Sequence, residues 1–177
     1  MRQNSSHWEA GRCLQMMRET VELSEFGFRI QGIAAHVLLR LGAQVLEVNS
    51  QGHPDIVAAT ERGSIRIEVE ADIRGSRPRL LTKEDLESIA PRRTTDKGYF
   101  ALALCGPYPQ WLLVEYSRLS RRYDTPASPA ILRALSDEEA SEQWTSEFIK
   151  LLLTHCQHLP AYSFDLLARR ALEGRPL

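Results

Sequence analysis

The hydrophobic and polar positions of this chain fall into blocks of different period. From Ser24 to Leu41 the apolar residues Phe28, Ile30, Ile33, Ala34, Val37, Leu38 and Leu41 recur at helical spacing, and Gly42 follows where a helix stops. Ala43 to Val48 then reads as a strand. Asn49, Ser50, Gln51 and Gly52 turn the chain into a second strand that carries Asp55. From Ser64 to Asp72 the period is two. Ile65, Ile67, Val69 and Ala71 point one way, while Arg66, Glu68, Glu70 and Asp72 point the other. Glu61, Arg62, Gly63 and Ser64 mark the turn between these strands. Tyr99 to Cys105 and Gln110 to Tyr116 are strand runs joined as a hairpin through Gly106, Pro107, Tyr108 and Pro109.

The remaining blocks are helical or irregular. Residues 1–20 are polar, with Trp8 and the Met16–Met17 pair suggesting a short helix laid on the body. A helix is predicted to start near Thr82, whose hydroxyl can cap it, with Glu84 and Asp85 in the first turn. Residues 124–129, rich in Pro and Ser, read as a loop. Ser136 to Glu139 reads as a capping box opening a helix to about His155, and Ser163 opens a last helix ending near Gly174. The order is helix, three strands, helix, two strands, then helices, which predicts an α/β fold with a mixed central sheet flanked by helices. Residues 1–123 are expected to form the α/β core with an N-terminal extension, and residues 124–177 a C-terminal helical extension packed on it.

The polar face of the 64–72 strand is where chemistry enters. Asp55 falls opposite Glu68 or Glu70 in either plausible register, and directly opposed side chains have Cβ atoms only about 5 Å apart. Like charges this close raise one another's pKa values unless a cation joins them. Hard cations such as Mg2+ prefer carboxylate oxygens. The same pattern is also that of the solvated face of an antiparallel sheet, which needs no function. Among the histidines, His53 reads as a turn residue at the border of a cleft and His36 as the border of the first helix. His155, Cys156 and His158 lack the spacing of a zinc ligand set. Trp111 and Trp144 read as core or interface aromatics. No glycine-rich phosphate loop and no Ser or Cys nucleophile motif is present.

Composition narrows the rest. A net charge of −1 offers no global basic field, so a nucleic-acid partner must be held by a local patch. No apolar run is long enough for a bilayer, and the first dozen residues do not form a secretory signal. Cys13, Cys105 and Cys156 are odd in number and widely spaced, which fits reduced thiols in a cytoplasmic protein.

Pro54-Asp55 and, after a turn, Glu68-Val69-Glu70 resemble the two-part motif of the PD-(D/E)xK nuclease superfamily, the restriction-endonuclease-like fold. Gln31, Ala34, Leu38 and Gly42 fall at the spacing of the first helix of its Holliday-junction-resolvase-like and Mrr-like members. The resemblance covers about residues 24 to 116. It implies a metal-dependent endonuclease that hydrolyses phosphodiester bonds, with DNA the expected substrate and a homodimer the usual assembly for cutting both strands. Asp55 and Glu68, with the Val69 carbonyl, would hold Mg2+ or Mn2+. Glu70 would hold a second metal or act as a base, and Gln31 would orient a ligand or a metal-bound water. Arg74, Arg77, Arg79, Arg92 and Arg93 would contact the phosphate backbone. The superfamily usually has Lys at the position of Glu70, although some restriction enzymes carry Glu. Lys83 on the following helix, Arg66 and Arg74 are the candidates to replace that cation. The alternative implied by the missing Lys is a catalytically inactive nuclease-fold module that binds nucleic acid or a protein partner.

Overall fold

The computed structural model describes residues 2–72, 79–122 and 124–177. Two helices come first, α1 (Arg2–Glu19) and α2 (Leu23–Arg40). Strands β1 (Gln44–Val48), β2 (Ile56–Thr60) and β3 (Gly63–Asp72) follow. A short strand β4 (Arg79–Leu81) and helix α3 (Lys83–Ser88) lead to the hairpin of β5 (Lys97–Leu104) and β6 (Gln110–Glu115). The chain continues through α4 (Tyr116–Leu119), β7 (Thr125–Ala127), α5 (Pro129–Leu135) and α6 (Glu138–His155). A single 3-10 turn at Leu159–Ala161 precedes α7 (Phe164–Leu172).

Five strands form one mixed sheet in the order β1-β2-β3-β5-β6, and β4 pairs with β7 in a separate two-stranded ribbon. The first three strands are an antiparallel meander, β3 and β5 are parallel, and β5 and β6 are antiparallel. The parallel step requires a crossover, and the segment containing β4 and α3 makes it. The α/β fold with a mixed sheet between helices, expected from the alternation of periods, is what the chain forms.

Each face of the sheet has its own apolar cluster. On one face, Ile56, Ala58, Ile67, Tyr99, Ala101, Trp111 and Leu113 meet Ile30, Ile33, Val37, Trp144, Phe148 and Leu152 from α2 and α6. On the other, Phe100 and Leu102 of β5 and Leu112 and Val114 of β6 pack against Leu86, Ile89, Leu119 and Leu132. The period-two reading of β3 holds: Ile67 lies in the first cluster, with Ile65, Val69 and Ala71 packed against it. Its other face does not look into water. Arg66, Glu68 and Asp72 are all buried there. In the parallel register Glu68 stands beside Phe100 and Glu70 beside Leu102, so the acids form the margin of the second cluster.

Helix α2 is buried nearly all round, from Ile30 through Leu38. A helix in that position is sandwiched rather than laid on a surface. The sheet lies on one side and α7 on the other, so close that a Cβ added at Gly32 would stand 2.7 Å from the Cβ of Leu167. Helix α6 closes the sheet edge with side chains. The amides of Trp111 and Leu113 donate to the hydroxyls of Thr145 and Ser141, and the Leu113 carbonyl accepts from the Asp137 amide. Unpaired edge groups are thereby satisfied without another strand.

Several expectations are corrected. Strand β2 begins at Ile56, so Asp55 stands one residue before it. Residues 124–129, expected as a loop, contain β7, and α5 follows immediately because Ser128 caps it with Pro129 in its first turn. The cap of α6 is Asp137, which accepts from the Ala140 amide, whereas Ser136 donates its hydroxyl to the Arg133 carbonyl and closes α5. Most consequentially, Cys13 and Cys156 are not reduced thiols but a disulfide across 143 residues, formed because α1 packs against the end of α6. Cys105 alone is a free thiol. Linear spacing carries no information about such a pairing.

Two outcomes follow from this packing. The His36 ring lies in the interior, its Nε2 donating to the Leu167 carbonyl while Nδ1 is buried without a hydrogen-bond partner among the described residues. Burial pushes its pKa down to about 4. The unfolded chain therefore takes up a proton near pH 6.5 that the folded one refuses until about pH 4, so stability is lost as pH falls through that window, by up to about 3 kcal/mol. Denaturant melts should show this acid loss in the native chain and not in His36→Gln. Secondly, a Cβ at Gly98 would stand 1.7 Å from the Ile89 carbonyl oxygen at the end of α3. Gly98→Ala should cost about 1–3 kcal/mol by forcing α3 off β5, read from the same melts.

Candidate metal centre

The segment from Asn49 to Asp55 is held by polar ties rather than by packing. The Asn49 amide donates to the Asp55 carbonyl at 2.8 Å, and its side-chain amide donates to the Pro54 carbonyl at 2.8 Å. From α2, the buried Gln31 side chain donates to the carbonyls of Asn49 and Asp55. Gln31 is thus a positioning residue for the turn, acting on Asp55 through the backbone. The turn presents two side chains to β3. Asp55 accepts the Val69 amide on Oδ2 at 2.8 Å, in line with the register that would place it opposite Glu68. His53 reaches Glu68, with Nδ1 2.7 Å from Oε1.

The third contributor comes from the crossover. Helix α3 opens with a capping box in which Thr82 accepts from the Asp85 amide and Asp85 Oδ2 accepts from the Thr82 amide. The other oxygen of Asp85, Oδ1, lies 3.8 Å from His53 Nδ1. The far end of α3 is tied to β3 by Arg66, whose Nε donates to the Ser88 carbonyl at 2.8 Å. The Ser88 hydroxyl lies 3.5 Å from Glu68 Oε2. The result is a group of three side chains, His53, Glu68 and Asp85, each offering one ligand atom, all within 4.8 Å of one another.

The acids here are held in a costly state. Glu68 is pushed up to about 8, first by burial and then by the charges of Asp85 and Glu70, against the hydrogen bonds from the Asp55 backbone and from Ser88. Asp55 is likewise pushed up to about 8, by burial and the neighbouring Glu68, opposed by the Val69 amide and by His53. Glu70 raises both. Carboxylates lifted this far keep their protons at neutral pH unless a cation takes their place.

The sequence reading and the structure differ in detail. Asp55 and Glu68 are adjacent, one of the two oppositions the sequence allowed. Glu70 bears on both through its charge, but the close group is completed by His53 and Asp85. Lys83 does not turn into the site. It is exposed and lies 3.4 Å from Glu87, one turn along its own helix. Arg66 serves as a tie to the Ser88 carbonyl. Arg92 and Arg93 are exposed on the loop after α3. For Arg79 the backbone pairing with Ala127 is described, and Arg74 and Arg77 lie outside the described residues. His53 and Asp85 were legible in part: His53 is two residues from Asp55, and Asp85 is the third residue of a capped helix beside the sheet. Neither signal named a partner. Among the described residues, no helix is long and apolar enough to cross a membrane.

The raised carboxyl pKa values fix the sign of one further outcome. Unfolded Asp and Glu lose their protons near pH 4, while folded Asp55 and Glu68 keep theirs to about pH 8. The folded state binds more protons between these limits, so their contribution to stability falls as pH rises through that window. In chelator-treated protein, the Asp55→Asn, Glu68→Gln double variant should lose less stability than the native chain between pH 5 and pH 9. Each tenfold change in a carboxyl's proton affinity is worth about 1.4 kcal/mol, so the difference should amount to several kcal/mol. Denaturant melts across that pH range read it.

No protein-family model, curated protein or solved structure matches the chain, so the case for its function rests on the chemistry of these residues.

Proposed function

We propose that the chain is a metal-dependent nuclease on a restriction-endonuclease-like core, hydrolysing phosphodiester bonds in DNA. The observation that carries this reading is the pairing of Asp55 with Glu68 on adjoining segments, both lifted to about 8, Asp55 by burial and the charge of Glu68, and Glu68 by burial and the charges of Asp85 and Glu70. Such a pair is stable in its charged form only around a cation. The order of elements supports it too: a buried helix, a three-stranded antiparallel meander, a crossover containing a helix, and a parallel strand. This is the arrangement in which the Pro54-Asp55 and Glu68-Val69-Glu70 motifs resemble the superfamily.

In this reading Asp55 and Glu68 hold the ion, with Glu68 shared with the His53–Asp85 group. A bound divalent ion supplies Lewis acidity, polarising a phosphate oxygen and making a water more acidic. The chain's own part is to hold and orient. Gln31 fixes the turn that carries Asp55, and the Thr82 cap fixes Asp85. Glu70, placed beside the pair, receives a proton from the attacking water. Arg92 and Arg93, with Arg74 and Arg77, supply phosphate contacts that add salt-dependent affinity without sequence preference. A second copy of the chain would let both strands of a duplex be cut.

The alternative, a nuclease-fold module that binds without cutting, is favoured by one observation: Glu70 occupies the usual Lys position, and Lys83 is directed along its own helix. Cleavage separates the two. Purified protein with Mg2+ or Mn2+ should nick supercoiled plasmid and degrade labelled duplex, with Asp55→Asn and Glu68→Gln each at least about 100-fold slower. Absence of metal-dependent cleavage on duplex, single-stranded and junction DNA, with retention of those DNAs on the protein, would leave the binding module as the function. Cleavage that persists in both variants would refute the assignment of these acids.

A further inference from the structure

We propose that His53, Glu68 and Asp85 form a divalent-metal site with one nitrogen ligand, which binds the transition-series ions Zn2+ and Mn2+, in that order, ahead of Mg2+. The inference deepens the nuclease reading by specifying the ion and its ligands, and rests on that reading only for the claim that the ion is catalytic.

Geometry comes first. Ions with bonds of about 2.1 Å place neighbouring ligand atoms ~3 Å apart and opposite ones ~4.2 Å apart. His53 Nδ1 lies 2.7 Å from Glu68 Oε1 and 3.8 Å from Asp85 Oδ1, and the whole group fits within 4.8 Å. These separations need only side-chain adjustment to enclose an ion.

The second observation is how the ligands are held. They come from three separate elements, and each is fixed independently. Glu68 is in the middle of a strand paired on both sides. Asp85 is locked by the capping box through the oxygen that does not face His53. The turn that carries His53 is pinned by Asn49 and by Gln31. Fixing ligands through neighbouring groups is what gives a metal site its affinity.

Burial is graded across the group. The Glu68 side chain is 9% exposed, Asp85 20% and His53 33%. The group is most exposed at His53, the side from which water or a phosphate oxygen would reach a bound ion. Three protein ligands with an open position is the pattern of catalytic rather than structural ions.

Donor chemistry sets the selectivity. Mg2+ takes oxygen ligands and rarely exchanges water for imidazole, whereas Zn2+ and other transition ions accept it readily. One imidazole among two carboxylates therefore discriminates against Mg2+, even though Asp55 and Glu70 stand nearby as oxygen donors.

Calorimetry of the full-length, chelator-treated protein with ZnCl2, MnCl2 and MgCl2 reads the order directly. Mn2+ should bind at least about tenfold tighter than Mg2+, and Zn2+ tighter again. Pulsed electron paramagnetic resonance of the Mn2+ form should show coupling to a 14N nucleus. His53→Gln should abolish that coupling and weaken Mn2+ by about 10-fold or more, bringing it level with Mg2+. Asp85→Asn keeps an oxygen for the Thr82 amide, so it should weaken Mn2+ while circular dichroism stays native. Equal affinity for Mg2+ and Mn2+, absence of nitrogen coupling, or unchanged affinity in His53→Gln would each overturn the site. Selective, nitrogen-coupled Mn2+ binding in a protein that cuts no DNA would uphold the site and remove the nuclease reading. Mg2+-driven cleavage undiminished in His53→Gln would do the reverse.

Discussion

Two carboxylates from adjoining segments share a strip of low dielectric between the sheet and α3, and the local structure is arranged around that fact. Burying an ionised acid costs several kcal/mol unless something neutralises it. Here the neutralising groups are partial: the Val69 amide on Asp55, the His53 ring and Ser88 on Glu68. Apolar residues at these positions would satisfy the sheet better, since the neighbours of Glu68 and Glu70 in β5 are Phe100 and Leu102. Acids retained beside an apolar cluster mark a place where the fold has given up stability for chemistry.

The supports of the strip lie outside it. Helix α3 has only six residues and one buried side chain of its own, Leu86. Its position depends on the Thr82 cap, on the Arg66 tie and on the close approach of Ile89 to Gly98. The turn before β2 depends on Gln31, which reaches it from a helix otherwise filled with apolar contacts. Site and core are therefore coupled through single polar side chains rather than through broad packing, and a change at Gln31 or Arg66 acts on the acids at second hand.

Much of this was legible in the chain. Periodicity located α2, β3, the β5–β6 hairpin, α6 and α7, because each has a face committed to an apolar cluster. The turn at residues 61–64 left Asp55 opposite Glu68 or Glu70, and the strand register chose Glu68. What stayed hidden depends on partners far apart in sequence. The Cys13–Cys156 bond needs the docking of α1 on α6. The burial of Arg66, Glu68 and Asp72 needs a second layer over the sheet, built from short elements such as α5 and β7 whose local patterns are weak. Asp85 was readable as a first-turn acid, but its second role appears only when the crossover folds back beside His53. Lys83, adjacent in sequence and chemically more suggestive, points elsewhere.

The hydroxyls of Ser141 and Thr145 have a further effect, on how copies of this chain can meet. They occupy the outward amides of β6, so that border of the sheet accepts no additional strand. Among the described residues no strand lies outside β1 either, but nothing comparable plugs it, and Leu46 stands exposed there. A sheet with one sealed border and one unsealed can grow in a single direction. Two molecules joined through β1 would each use up the border that remains, so edge-to-edge growth ends at a pair instead of running on into a fibre.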